Sequence, residues 1–272
     1  MNEITVTHIG GPTMLLTIGG WRILTDPTFD PPGRRYNFGL GAFSIKTEGP
    51  ALSVSDVMPI DAVLLTHDHH SDNLDDAGRE LLDTVPIVLT TTAGGARLPM
   101  PSVTGLSAWD SARLEGSGKA PLSVVATPCR HGPPLSRPIT GEVIGFALTV
   151  EDNVRAAVWF SGDSVYYRGL RQVARHLDID VAVIHLGAVR FRSTGPFSYT
   201  LNARRAVKLL EQLHPRVAVP VHTDGWSHFS EGSAAAKRVF ASAPDGVRSS
   251  IRWLDPGVPT ALTSHPSPRP TT

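Results

Sequence analysis

The sequence predicts an α/β protein built from two sheets packed face to face with helices outside. Three observations carry that expectation. The chain opens with a strand-rich half and closes with regular alternation of helix and strand. Its 272 residues, 41% hydrophobic, are enough for one sizeable core. No linker composition or fixed-period repeat divides it, so a single domain is expected over residues 1–258, with a disordered tail at 259–272.

The elements follow in order. ITVTHIG, TMLLTIG and WRILTDP read as strands, the last two joined by the Gly19-Gly20 turn expected of a hairpin. Residues 27–59 are rich in Pro and Gly and lack periodicity, which predicts a long loop. Its aromatics Phe29, Tyr36, Phe38 and Phe43 suit a lid. DAVLLT is a short buried strand, and NLDDAGRELLD a helix after it. PIVLTT, VTGLSAW, SARLE and LSVVATP follow as strands, then a hairpin of VIGFALTV and RAAVWFSG turning at Glu151–Asn153. Helices RGLRQVARHL, LNARRAVKLLEQLH and EGSAAAKRVFAS then alternate with strands DVAVIHLG, RVAVPVH and SIRWLD.

Composition excludes several functions. Lys plus Arg number 25 and Asp plus Glu 25, so a general polyanion binder is not expected and nucleic acid is not the predicted partner. A single cysteine, Cys129, rules out an internal disulfide framework. No apolar run approaches the ~18 residues of a membrane span. The opening MNEITVTHIGG has neither the basic start nor the apolar stretch of a signal peptide. The expectation is a cytoplasmic protein acting on a small molecule.

Residues able to bind a metal recur at strand ends. His67 and His69 follow DAVLLT, His131 follows LSVVATPCR, Asp163 follows AAVWFSG, and His222 follows RVAVPV. Strand ends in α/β folds gather at one edge, where loops build the site. One such histidine is ordinarily a hydrogen-bonded structural residue, but several imidazoles and carboxylates at matching ends point to a metal. Imidazole with carboxylate and no thiolate suits zinc, with manganese or iron as alternatives. A carboxylate between two such sets would bridge two ions.

The stretches LTDP (24–27), THDHHSDNLD (66–75), TPCRHG (127–132), FSGDS (160–164) and VPVHTDG (219–225) resemble the metallo-β-lactamase superfamily, on the branch that includes ascorbate-6-phosphate lactonase and N-acylphosphatidylethanolamine phospholipase D. They occur in that family's order over about residues 4–257. The resemblance implies a four-layer αββα sandwich of two mixed sheets with one or two divalent ions at its edge. By motif, His67, His69 and His131 would hold the first ion, Asp163 would bridge, and Asp72 and His222 would complete the second. Asp26 would support the ligands from behind.

The signature departs from the family's HxHxDH followed by Leu-Asp. Aligned on Leu74-Asp75, one residue is inserted, Asp72 keeps its role and Asn73 replaces the last histidine. Aligned without a gap, Ser71 and Asp72 take the last two places. The first alignment is favoured because Leu-Asp is preserved. Either way the second ion loses an imidazole, for which His70 or His185 could substitute. Beyond His222, Asp224 opens the loop, Trp226 could wall a pocket, and His228 could touch substrate.

The function expected is a metallo-hydrolase in which ions activate water against a lactone or other ester, an amide or a phosphodiester. Asp72 would orient the nucleophile and protonate the leaving group. The alternative, suggested by Asn73, is a non-catalytic or regulatory metal-binding member of the fold.

Overall fold

A computed structural model describes residues 3–39, 41–150 and 155–262. Strands β1 (Ile4–Gly10), β2 (Thr13–Ile18) and β3 (Trp21–Thr25) form an antiparallel meander, with Gly19 and Gly20 both at the positive φ that a tight hairpin demands. Strands β4 (Arg35–Gly39) and β5 (Ala42–Ile45) pair as a separate hairpin, followed by helix α1 (Val54–Val57). Next come β6 (Ala62–Leu64), α2 (Asp76–Leu82), β7 (Val88–Thr91), α3 (Thr92–Arg97) and β8 (Val103–Leu106). Then β9 (Ser111–Leu114), β10 (Leu122–Pro128), α4 (Arg137–Thr140), β11 (Ile144–Val150) and β12 (Ala156–Phe160). Helix α5 (Arg168–His176), β13 (Ile179–His185), α6 (Ala203–Leu213), β14 (Val217–Val221), α7 (Ser233–Ala241), α8 (Asp245–Ser250) and β15 (Thr260–Ala261) complete the order.

These strands make two mixed sheets, ordered β15-β1-β2-β3-β6-β7-β8 and β14-β13-β12-β11-β10-β9. Residue alternation decides which face packs where. In β11, Ile144, Phe146, Leu148 and Val150 join the core between the sheets, while Ala147 faces the helices. In β14, Val217, Val219 and Val221 point inward and Ala218 outward. Helix α6 covers that outer face with Ala203, Ala206, Leu209, Leu210 and Leu213, the stripe of a helix buried on one side. Helices α1 and α2 cover the other sheet through Val57, Leu81 and Leu82. The expected four-layer sandwich is therefore the observed one. No helix among the described residues is long and apolar enough to cross a membrane.

Several expectations need correction. The stretch 27–59 is not one loop, because it contains the β4–β5 hairpin and α1, whose Ser53 cap and Asp56 form a reciprocal capping box. Helix α3, TAGGAR, was hidden by two helix-poor glycines. They let it approach a strand backbone to backbone, since a Cβ on Gly95 would lie 3.1 Å from Gly105 of β8. SIRWLD is not a strand: α8 runs to Ser250 and only Ile251 bridges to Ala218. The domain extends past residue 258, because β15 pairs with β1 and Leu262 is buried. The rest of the tail and the turn at Glu151–Asn153 lie outside the described residues.

One buried carboxylate joins the hairpin to the sandwich. Asp75 caps α2 by accepting from Gly78 N–H (2.9 Å), and also accepts from Phe29 N–H (2.9 Å), Asp30 N–H (2.7 Å) and Lys46 Nζ (2.8 Å). Both Lys46 and Asp75 are buried. Gly78 makes the approach possible, since a Cβ there would collide with the Pro27 carbonyl. Removing one member of a buried ion pair strands the other charge. Lys46→Ala should therefore lower stability by about 3 kcal/mol, measured by urea unfolding; a loss under about 1 kcal/mol, the scale of an exposed pair, would contradict this account.

Candidate metal centre

The C-terminal ends of β3, β6, β10, β12, β13 and β14 meet along one edge of the sandwich, where the two sheets are tied by Ile144 N–H donating to Thr66 O (3.1 Å). Asp26 and His222 leave their strands with positive φ (38° and 61°). That conformation is uncommon for residues with a Cβ and concentrates at functional sites.

Three imidazoles converge there. His70 Nδ1 lies 3.3 Å from His67 Nε2 and 3.1 Å from His131 Nε2. Their outer nitrogens set the tautomers. His131 Nδ1–H donates to Tyr199 O (2.9 Å). Thr66 Oγ1–H donates to Asp26 Oδ1 (2.9 Å), so it accepts from His67 Nδ1–H (3.1 Å) and from Asn73 Nδ2–H (3.4 Å). The lone pairs of His67 and His131, and the amide oxygen of Asn73, are thereby turned inward. Burial first, and then the neighbouring imidazoles, pushes these rings toward the neutral form: His67 well below its ordinary value, His131 down to about 3. Burial likewise takes His70 down to about 4, against the opposing charge of Asp72. Neutral imidazole is the ligand form.

Beside them sits a group of opposite character: Asp72, Asp163 and His222, all buried, with candidate ligand atoms within 4.8 Å of one another. His222 Nε2 is 3.5 Å from Asp72 and 3.5 Å from Asp163. Burial raises the Asp163 carboxyl to about 6. Burial also opposes charge on His222, but Asp163 and Asp72 outweigh it and raise that imidazole to about 9. Burial would push Asp72 up, yet the imidazoles of His222 and His228 hold it well below the usual carboxylate range.

Among the described residues, nine buried side-chain atoms lack a hydrogen-bond partner, and seven belong to Asp26, Asp72, Asn73, Asp163, His185 and His222. Orphaned buried acceptors are costly and rare. The orphaned atoms of Asp72, Asp163 and His222, beside three neutral imidazoles, fit a divalent cation, which would give them a partner.

Not every expected residue lies where the motif placed it. His69 belongs to neither group: its ring packs on Gly141 and its Nδ1 is 3.0 Å from Arg97, which also grips Asp68. His70 stands in its place, so the extra residue falls between the first two histidines and the signature runs His67-x-x-His70-x-Asp72-Asn73. His185 sits behind the acidic group, its Nε2 3.5 Å from Asp26 and its ring 5.9 Å from that of His222. Asp224 accepts from Gly11 N–H (2.8 Å), holding the backbone whose carbonyl receives His222 N–H. Trp226 packs on Tyr36 and lies under the Lys46 ammonium, so it backs the hairpin. His228 is brought in: Nε2–H donates to Asp72 (3.0 Å) and Nδ1 accepts from Ser44 Oγ–H (2.6 Å). Ser44 on β5 had no signal in the sequence. Phe38 covers the site, 5.3 Å from His70, 5.3 Å from His228 and 5.5 Å from Phe191.

A family model described as the beta-lactamase superfamily domain matches residues 21–223. The chain belongs to the metallo-β-lactamase superfamily. Its relatives include an uncharacterized protein of Mycobacterium tuberculosis, 26% identical over 97% of this chain and 72% of that one. Another is a UPF0173 metal-dependent hydrolase of Pyrobaculum neutrophilum, 24% identical over 80% and 83%. Solved structures share the fold: an isothiocyanate hydrolase from Delia radicum gut bacteria (TM-score 0.78, 19% identity, 96% and 100% covered) and a possible metal-dependent hydrolase from Veillonella parvula (0.77, 20%, 95% and 99%). CmlA, a diiron β-hydroxylase from Streptomyces venezuelae, also aligns (0.65, 15%, 96% and 54%), so the superfamily fold hosts more than one chemistry.

The two histidines of the motif separate cleanly. His70→Ala should lose the ion of the imidazole group on purification, whereas His69→Ala should retain it; elemental analysis decides, and equal metal content in both would refute the assignment.

A pH dependence follows for the acidic group. Because His222 is raised to about 9, the metal-free site holds a proton there at neutral pH. A cation needs that lone pair, so binding should release a proton and strengthen as pH rises toward 9. Calorimetry in buffers of different ionisation enthalpy reads the release; identical heats in all buffers would contradict it.

Proposed function

We propose that this chain is a metal-dependent hydrolase that cleaves a lactone or other ester, an amide or a phosphodiester at the imidazole and carboxylate pair of sites. The observation that carries the proposal is the set of orphaned buried acceptors facing three neutral imidazoles. Its relatives named as metal-dependent hydrolases support it. His67, His70 and His131 would hold one ion, and Asp72, Asp163 and His222 a second. Asp163 would be shared between them and the Asn73 amide oxygen would stand near the second. Three imidazoles favour zinc. Bound divalent ions supply Lewis acidity toward a carbonyl or phosphoryl oxygen and lower the pKa of water.

The chain's own residues do the rest. Asp72 is ionised, and His228 N–H anchors one of its oxygens, leaving Oδ1 free to orient a water and accept its proton. His228 is itself held by Ser44 and stacked at 5.2 Å on Phe191, so Asp72 keeps one rotamer. Phe38, Ala42, Ile139 and Phe191 form an apolar wall over His70 and His131 that excludes water and packs the non-reacting part of the substrate.

The motif match to the branch containing ascorbate-6-phosphate lactonase and N-acylphosphatidylethanolamine phospholipase D sets the panel: lactones, esters, amides and phosphodiesters. An isothiocyanate is added because one fold neighbour is named for its hydrolysis. The metal-loaded protein should turn over at least one class and stop with chelator. Asp72→Asn should lower kcat by about 10²–10⁴, with the ion of the imidazole group retained and the ion that Asp72 would help hold weakened. Asn73, an amide where the family carries an imidazole, favours the second reading, a regulatory metal-binding protein. Full metal content with no turnover across the panel would select it.

A further inference from the structure

Among the described residues, Arg130 Nε is the one guanidinium or ammonium nitrogen that is buried without a hydrogen-bond partner. The side chain lines a cavity of about 330 Å³ together with Cys129, His131, Thr140, Glu142 and Tyr167. Its guanidinium lies over the Tyr167 ring at 4.7 Å. A stacked guanidinium keeps its in-plane N–H groups available for a planar or tetrahedral anion. The main chain is pinned on both sides: Arg130 N–H donates to Ser164 Oγ (3.1 Å) and its carbonyl accepts from Val165 N–H (2.8 Å). The cation is thus fixed to the loop that carries Asp163.

Nothing in the wall neutralises it. Glu142 is the acid nearest in the lining, and both its oxygens are engaged, one by Arg137 (2.6 Å) and one by Ala93 N–H (3.0 Å). Burying a charged donor without a partner is unfavourable, and an incoming oxyanion reverses that cost. The cavity also adjoins the proposed reaction site, because His131 and Thr140 line both it and the apolar pocket under Phe38.

We propose that this cavity is an oxyanion subsite, in which Arg130 receives a carboxylate or phosphate group on the uncleaved part of the substrate. The substrate assignment rests on the hydrolase proposal; the anion site itself does not. Calorimetric titration of inorganic phosphate and of acetate tests it, with metal-loaded and chelated protein. The wild type should show an anion-binding event that survives chelation and is therefore not at the ions. Arg130→Gln should weaken that event at least about tenfold, and Arg130→Lys, which keeps charge without the fork, should fall between. The unfolding temperature of each variant reports that it is folded. Binding unchanged in Arg130→Gln, or no chelation-resistant binding in the wild type, would overturn the subsite. Loss of phosphate in Arg130→Gln, in a chain inactive on every substrate class, would sink the hydrolase proposal alone and leave the anion site standing.

Discussion

The carboxylate of Asp75 is the contact on which the architecture of the site depends. It follows the candidate metal-binding stretch directly, so whatever it holds is held relative to His67, His70 and Asp72. Its two oxygens take three backbone N–H groups and the Lys46 ammonium, all buried. That satisfies an ionised carboxylate in the interior, where a bare charge would be prohibitive. Through Lys46 it fastens the β4–β5 hairpin, through Phe29 and Asp30 the chain leaving β3, and through Gly78 the first turn of α2. The hairpin then delivers Ser44 to His228 and Phe38 to the roof of the site.

The opposite arrangement holds a few residues away. Asp163 and Asp72 are as buried as Asp75, but several of their oxygens meet no donor. The difference is functional in kind. A carboxylate surrounded by N–H groups is structural and inert. One facing other acceptors needs a cation or a proton, and Asp163 and Asp72 accordingly raise the basicity of His222 against the effect of its burial. Around it, a chain of donors running from Asn73 and His67 through Thr66 to Asp26 fixes which atom each ligand presents. Rigid presentation by groups outside the coordination sphere is what separates a metal site from a chance cluster.

The apolar pocket under Phe38 and the cavity lined by Arg130 give the site two unlike neighbours. On one side, Phe38, Ala42, Ile139 and Phe191 offer only apolar contact. On the other, Arg130 stands stacked on Tyr167 without an acid of its own. Both adjoin His131.

By itself the sequence determined the layered α/β class, because alternation in strands such as VIGFALTV and the apolar stripe of LNARRAVKLLEQLH are local signals of burial. It also determined which strand ends carry imidazole and carboxylate, since ligand chemistry is written in residue type. Tertiary structure decided the remainder. His70 rather than His69 joins the trio because Arg97 and Gly141, remote in sequence, draw His69 aside, and one-dimensional spacing cannot express that contact. The hairpin within 27–59 and helix α3 were hidden for a related reason. Their glycines and prolines read as loop, but serve close backbone approaches and a separate sheet of two strands. Ser44 lay in no motif, and Arg130 lay inside TPCRHG without being singled out. Their surroundings depend on one finding a histidine 184 residues away and the other keeping a buried Nε without a partner among the described residues, and only the folded chain decides either.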